Sequence, residues 1–190
     1  MNSFELRRKI LHIISGLAII FLAIYFPSAK WVLFFALIIG IIISVLSLYV
    51  RVPIIGFMLD KFERPYYRNV FPGKGFLFFI AGSLFVLKMF SHEIALASIA
   101  IATFSDPFFS FDKSALKGIF KIKKLRSFLL GLAAGAIAAS FFISPASALA
   151  ATFFSAIIES IAIFLGTDPV DDNIIIPVSA GTILYLIPRI

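Results

Sequence analysis

From Trp31 to Val50 the chain runs through twenty residues without a single charge, and that stretch limits the folds open to the whole protein. As a helix, about 20 apolar residues match the hydrocarbon thickness of a bilayer; a strand of that length would be far outside the usual range. Comparable apolar runs recur at about 10–26, 31–50, 75–90, 93–110, 127–142, 145–165 and 174–188. We read them as seven helical spans, of which the third, fifth and seventh are short. Hydrophobic residues make up 61% of the 190 and charged residues only 14%. A soluble domain of this size has too much surface to hide so much apolar material. The expected fold is therefore all-α: a polytopic integral membrane bundle of about seven transmembrane helices, forming one domain over 1–190. No internal repeat, low-complexity segment or long linker divides it. The first apolar run extends for a full span and lacks a small-residue cleavage signature, so it reads as a span and not as a cleaved leader. The absence of cysteine excludes a disulfide framework and thiolate metal sites.

The charges are distributed unevenly about these spans. With seven crossings, the N-terminus and the 51–74, 111–126 and 166–173 loops share one side. That side carries 14 of the 17 Lys and Arg residues; the other carries Lys30, Lys88 and Arg189. Lys and Arg are retained on the cytoplasmic side of membrane proteins, so the N-terminus and the charged face are expected in the cytoplasm. The net charge of +7 then reflects loops meeting anionic lipid, not nucleic acid. Nine of the ten acidic residues lie on or near the same side, with Glu93 the exception.

Four groups on this face are candidates for chemistry, because ionisable groups at membrane depth are costly and therefore functional by default. In Glu5-Leu-Arg-Arg-Lys-Ile-Leu-His-Ile-Ile-Ser-Gly16, residues Glu5, Arg8, Lys9, His12 and Gly16 share a helix arc of roughly 100°. A carboxylate, two cations and an imidazole there suit a phosphate or a lipid head group; a plain basic anchor needs neither Glu5 nor His12. In Pro72-Gly-Lys-Gly75, Gly73 and Gly75 flank Lys74 just before a span, where backbone N–H groups can meet an anion. The spacing is not that of a P-loop, and a structural turn explains the same residues equally well. Asp106, in Ala102-Thr-Phe-Ser-Asp106-Pro, lies near the cytoplasmic end of the fourth span and needs a cation, a metal or a proton as partner. The basic run after it (Lys113, Lys117, Lys121, Lys123, Lys124, Arg126) suits nucleotide phosphates or a lipid surface. Finally, Glu159 lies inside the sixth span, and Asp171-Asp172-Asn173 opens the seventh. Hard oxygen donors of this kind suit Mg²⁺ with substrate phosphates completing its shell.

Together these motifs resemble the CTP-dependent lipid kinase family, which includes dolichol (polyprenol), phytol and CTP-using diacylglycerol kinases, and are closest to its dolichol-kinase-like branch. Glu5-Leu-Arg-Arg-Lys9, His12 and Gly16 are similar to the family's N-terminal Glu-Leu-x-Arg-Lys-x-x-His-x-x-x-Gly signature. Pro72-Gly-Lys-Gly75 resembles a segment of the dolichol branch. Ser105-Asp106-Pro107 stands where the family has Gly-Asp, and Glu159, Asp172-Asn173 and Pro177 follow its closing Glu…Asp-Asn…Pro pattern. In place of the family's Lys-(Ser/Thr)-x-Glu-Gly-(Ser/Thr) element the chain has Lys123-Lys124-Leu125-Arg126-Ser127-Phe128.

The resemblance implies Mg²⁺-dependent phosphoryl transfer from CTP to a membrane lipid alcohol at the cytoplasmic face. Asp106, Asp172 and Asn173 would hold the metal, with Glu159 beside them. Lys74 and the 113–126 cations would face the nucleotide, Glu5, Arg8, Lys9, His12, Gly73 and Gly75 the phosphate or head group, and Glu159, Asp106 or His12 would take the proton. A CTP:lipid-phosphate cytidylyltransferase and a catalytically inactive relative remain open as alternatives. A transporter fits less well, since its ionisable groups should reach both sides. Small residues in Gly131-Leu-Ala-Ala-Gly135 predict close helix packing, within the chain or between copies in a homo-oligomer.

Overall fold

The computed structural model describes residues 3–50, 52–109, 122–164 and 171–187. Its regular elements are helices: α1 (Ser3–Tyr25), α2 (Ala29–Tyr49), α3 (Pro53–Phe62), α4 (Pro65–Arg68), α5 (Lys74–Met89), α6 (His92–Phe109), α7 (Ile122–Ala139), α8 (Pro145–Phe164) and α9 (Asp172–Leu186). No strand occurs among the described residues. Each of the seven apolar runs coincides with one long helix. The 51–74 stretch, expected as a loop, instead contains two short helices. Both begin with proline (Pro53 and Pro65) at the first helical position, where its fixed φ is favourable and its missing N–H costs nothing. Two helices, over Phe4–Tyr25 and Ala29–Tyr49, are long and apolar enough to cross a bilayer by length and composition.

The centre of the bundle is α6, which packs against α1, α5, α7, α8 and α9. From Ile94 to Thr103 each of its residues is buried. Small and hydroxyl-bearing side chains (Ala95, Ala97, Ser98, Ala100, Ala102 and Thr103) alternate there with Ile94, Leu96, Ile99 and Ile101, and neighbours approach closely at the small positions. The hydroxyls are satisfied within their own helices: Ser98 donates to the Ile94 carbonyl at 2.6 Å, Thr103 to Ile99 at 2.7 Å, Ser105 to Ile101 at 2.6 Å and Thr152 to Ala148 at 2.8 Å. Bonding one turn back satisfies these four hydroxyls in an apolar interior, whereas the buried Ser83 Oγ has no partner among the described residues.

The outer surface is the apolar one. Phe34, Phe35, Ile39 and Ile42 of α2, Leu129, Leu130 and Ile137 of α7, and Leu149 and Phe154 of α8 are all exposed. So extensive an apolar exterior, around a core that is itself apolar and also holds hydroxyls, departs from the arrangement of a water-soluble bundle.

Two close approaches set the position of the site. A Cβ on Gly16 of α1 would overlap the buried Thr103 side chain of α6. A Cβ on Gly82 of α5 would lie 2.6 Å from the backbone carbonyl oxygen of Asn173 and 3.2 Å from Ile174 Cα, both on α9. Gly16 thus serves helix contact and carries no chemistry of its own. At Gly40 of α2 the nearest atom is the end of the flexible Leu77 side chain. We predict that Gly82→Ala, which meets immovable backbone, destabilises the protein by about 1–3 kcal/mol. Gly40→Ala should cost distinctly less, as read by thermal unfolding in detergent.

Candidate functional site

The cation-rich N-terminal helix, the short helices α3 and α4, and the starts of α5 and α9 surround a cavity of about 580 Å³. Three carboxylates from separate helices meet in its wall. Asp106 arrives from α6, one residue before Pro107, which withdraws a backbone N–H from the helix there. Glu159 comes from α8 and is 4% exposed; Asp172 is the first residue of α9. One carboxylate oxygen of each lies within 4.8 Å of the others. Three like charges this close, one of them on the buried Glu159, repel strongly unless a cation or protons intervene.

Asp171 adds a fourth carboxylate and caps α9. Its side chain accepts hydrogen bonds from the Asn173 backbone N–H at 3.2 Å and from Asn173 Nδ2 at 2.6 Å. Burial, then the neighbouring Asp172 carboxylate, push its pKa up to about 6, against these two hydrogen bonds. Lys74 Nζ lies 3.7 Å from Asp171 Oδ2 and 4.7 Å from the centre of the Tyr67 ring. Lys74, expected to meet phosphate, is therefore held at the edge of the acidic cluster. Lys9 lines the same cavity with its ammonium nitrogen buried. Arg8 also lines it and forms an ion pair with Glu5 at 3.2 Å.

The Gly73 turn has a definite structural role. Gly73 adopts φ 76°, a left-handed conformation that favours glycine, and its N–H donates to Glu63 Oε2 at 2.9 Å. The other oxygen of Glu63 accepts from the Arg64 N–H at 3.0 Å. A carboxylate from the chain itself thus occupies the position at the α5 N-terminus that was expected to receive an anion. Ser44 of α2 donates to the Pro72 carbonyl at 2.6 Å and holds the same turn from the other side. Gly75 lies against Asn173, where a Cβ would come 3.5 Å from Nδ2.

His12 is also partly committed. Its Nε2 is 3.2 Å from the Ala102 carbonyl oxygen, which can only accept, so Nε2 carries the hydrogen. The imidazole lies over Phe79 with ring centres 4.4 Å apart, and Nε2 is 3.8 Å from Asp106 Oδ2. This fixes α1 to α6 and leaves only Nδ1 with a lone pair to accept a proton.

The geometry thus brings Glu5, Arg8, Lys9, His12, Gly73, Lys74, Gly75, Asp106, Glu159, Asp172 and Asn173 around one cavity. Arg126 is exposed beside Leu129 and Leu130 and is not on the cavity wall. Lys113, Lys117 and Lys121 lie outside the described residues, and Lys123 and Lys124 are described only through the backbone of α7. Sequence reasoning missed Glu63, which no spacing rule connects to a glycine ten residues on. Asp171 carried a usable signal: an Asp directly before an apolar helix is an N-cap candidate.

The donor set fits a hard divalent cation. Besides the three carboxylates, Asn173 lines the cavity and its buried Oδ1 has no hydrogen-bond partner among the described residues. Oxygen-only donors with room for further ligands are what Mg²⁺ takes. No protein-family model, curated protein or solved structure matches the chain.

The raised pKa of Asp171 sets a pH dependence. Folding favours its protonated form, so its stabilising contribution is complete below the ordinary value of 3.8 and is lost as pH rises through about 6. Without divalent cations, the melting temperature of the protein in detergent should fall over this interval. Asp171→Asn should flatten that decline.

Proposed function

We propose that the protein is an integral membrane lipid kinase that transfers the γ-phosphoryl group of CTP to the hydroxyl of a polyprenol- or dolichol-type alcohol. The observation that carries this reading is the convergence of Asp106, Glu159 and Asp172 within 4.8 Å, in a cavity also lined by Lys9, Arg8 and Lys74. Carboxylates to hold a metal and cations to face phosphates are the two parts that phosphoryl transfer requires. In this reading α1, α2 and α5–α9 cross the bilayer, α3 and α4 lie at its cytoplasmic surface, and the N-terminus is cytoplasmic. The apolar outer faces and the distribution of Lys and Arg support that arrangement. The choice of CTP and of a polyprenol rests on the resemblance of the Glu5–Gly16, Pro72–Gly75, Ser105–Pro107 and Glu159–Pro177 motifs.

Asp106, Asp172 and Asn173 would hold Mg²⁺, with Glu159 alongside. The ion would neutralise the phosphate oxygens and the charge that accumulates on the leaving group. Lys9 and Arg8 face the phosphates, and Lys74 keeps Asp171 from adding uncompensated negative charge. The alcohol oxygen forms a bond to the γ-phosphorus as the bond to the β-phosphate oxygen breaks, releasing CDP. The hydroxyl proton passes to a carboxylate. Glu159 is assigned that task because it belongs to the carboxylate cluster, whereas His12 donates its Nε2 hydrogen to the Ala102 carbonyl and could accept only at Nδ1.

The test is an assay of purified protein in detergent with Mg²⁺ and labelled CTP or ATP, offered polyprenols, phytol and diacylglycerol. Label from the γ-position of CTP should enter a polyprenol-type lipid, and Asp106→Asn should lower that rate by about 10²-fold or more. Entry of α-label with release of pyrophosphate would identify a cytidylyltransferase instead. No transfer from either nucleotide by folded protein would identify an inactive relative.

A further inference from the structure

The cavity is lined by groups of two chemical kinds. Besides the carboxylates and cations, its wall includes Leu11 of α1, Ile43 of α2, and Ile55, Met58, Leu59 and Phe62 of α3. The four α3 residues follow the i, i+3, i+4, i+7 spacing of a single helix face. The helix that carries them packs on α1 and α4, outside the central group around α6. Met58, at the edge of this face, is itself partly exposed, and Ile54 and Phe57 beside it are exposed too, with Lys61 Nζ 4.4 Å from the Phe57 ring centre. Apolar surface therefore continues from inside the cavity round to the exterior of the same helix. Glu63, at the C-terminal end of α3, bonds the Gly73 N–H at 2.9 Å. The apolar wall and the turn that presents Lys74 are thus one connected unit.

A nucleotide base can use at most a small apolar slot, since its edges, ribose and phosphates require polar partners; an apolar face that runs on to the outside of the same helix suits a long chain better. An amphiphile with a polar end at the carboxylates and an apolar chain beside it fits both halves. We propose that the inner face of α3, together with Ile43, binds the part of the lipid alcohol's chain next to its hydroxyl, and that Met58 and Leu59 select the chain's shape. The inference rests on reading the carboxylate end of the cavity as the place where a lipid hydroxyl reacts. Aliphatic and thioether side chains accept a flexible chain without hydrogen-bond demands. A bulky residue at position 59 would take its place.

Photolabelling tests this without requiring turnover. The full chain, in nanodiscs of phosphatidylcholine, is irradiated with a long-chain primary alcohol carrying a diazirine close to its hydroxyl, and the modified peptides are mapped by mass spectrometry. The expected result is label on 53–62 and at Ile43 that excess unlabelled polyprenol removes. Leu59→Trp should lower this competable label by about tenfold, and Leu59→Ala should retain it. Label confined to the outer faces of α1 and α2 and insensitive to competitor would overturn the inference. So would unchanged labelling of Leu59→Trp. Phosphoryl transfer without competable label on α3 defeats this inference alone. Competable label without transfer from any nucleotide leaves it standing and defeats the kinase reading.

Discussion

Three carboxylates that meet within 4.8 Å of one another can all stay ionised only if positive charge joins them. Asp106, Glu159 and Asp172 come from α6, α8 and α9, so none of these helices can place its acidic residue without the other two. Much of the surrounding structure serves that meeting. Gly82 lets α5 come against the backbone at Asn173 and Ile174, which fixes the start of α9. Gly16 lets α1 come against Thr103, bringing Lys9 and His12 to the side of α6 that carries Asp106. His12 then bonds the Ala102 carbonyl at 3.2 Å, one turn before Asp106. The site is a consequence of how closely these helices approach, and the approach depends on small residues at the contacts.

The same economy governs the rest of the bundle. The hydroxyls of Ser98, Thr103, Ser105 and Thr152 are satisfied one turn back in their own helices, so these four add polarity without linking helices. Large apolar side chains fill the core (Phe79, Ile99, Ile101, Ile176) and also cover the outer surface. Charged groups are then concentrated at one end, where the burial of Glu159 magnifies any charge interaction. A metal–phosphate complex gains more from such a setting than it would at a hydrated surface. The apolar wall of α3 beside it gives the same cavity affinity for a chain that water rejects.

The helices were legible from the sequence because hydropathy is a local signal. All seven apolar runs correspond to helices, including the short ones over 75–90 and 174–188. The two proline-initiated helices within 51–74 were hidden by their mixed composition, although Pro53 and Pro65 mark both starts. The carboxylates could be picked out singly, since Glu159 and Asp106 are anomalous in apolar surroundings. Their meeting depends on tertiary packing, and spacing along the chain does not contain it. Glu63 illustrates the limit: its role is a bond to Gly73 N–H, which exists only because α3 and α4 fold the chain back. The motif Pro72–Gly75 left a turn and an anion site as equal readings, and the left-handed Gly73 with its N–H engaged by Glu63 assigns it to the turn.

The central claim is that one divalent cation is shared by three helices, and Mn²⁺ binding followed by electron paramagnetic resonance tests it most directly. Mn²⁺ takes the same oxygen donors as Mg²⁺ and reports free and bound ion separately. The account predicts one bound ion per chain in the absence of nucleotide. It also predicts that Asp106→Asn, Glu159→Gln and Asp172→Asn each weaken binding by about tenfold or more, while Glu93→Gln leaves it unchanged. Binding that survives all three substitutions, or no binding by the folded protein, would contradict the account.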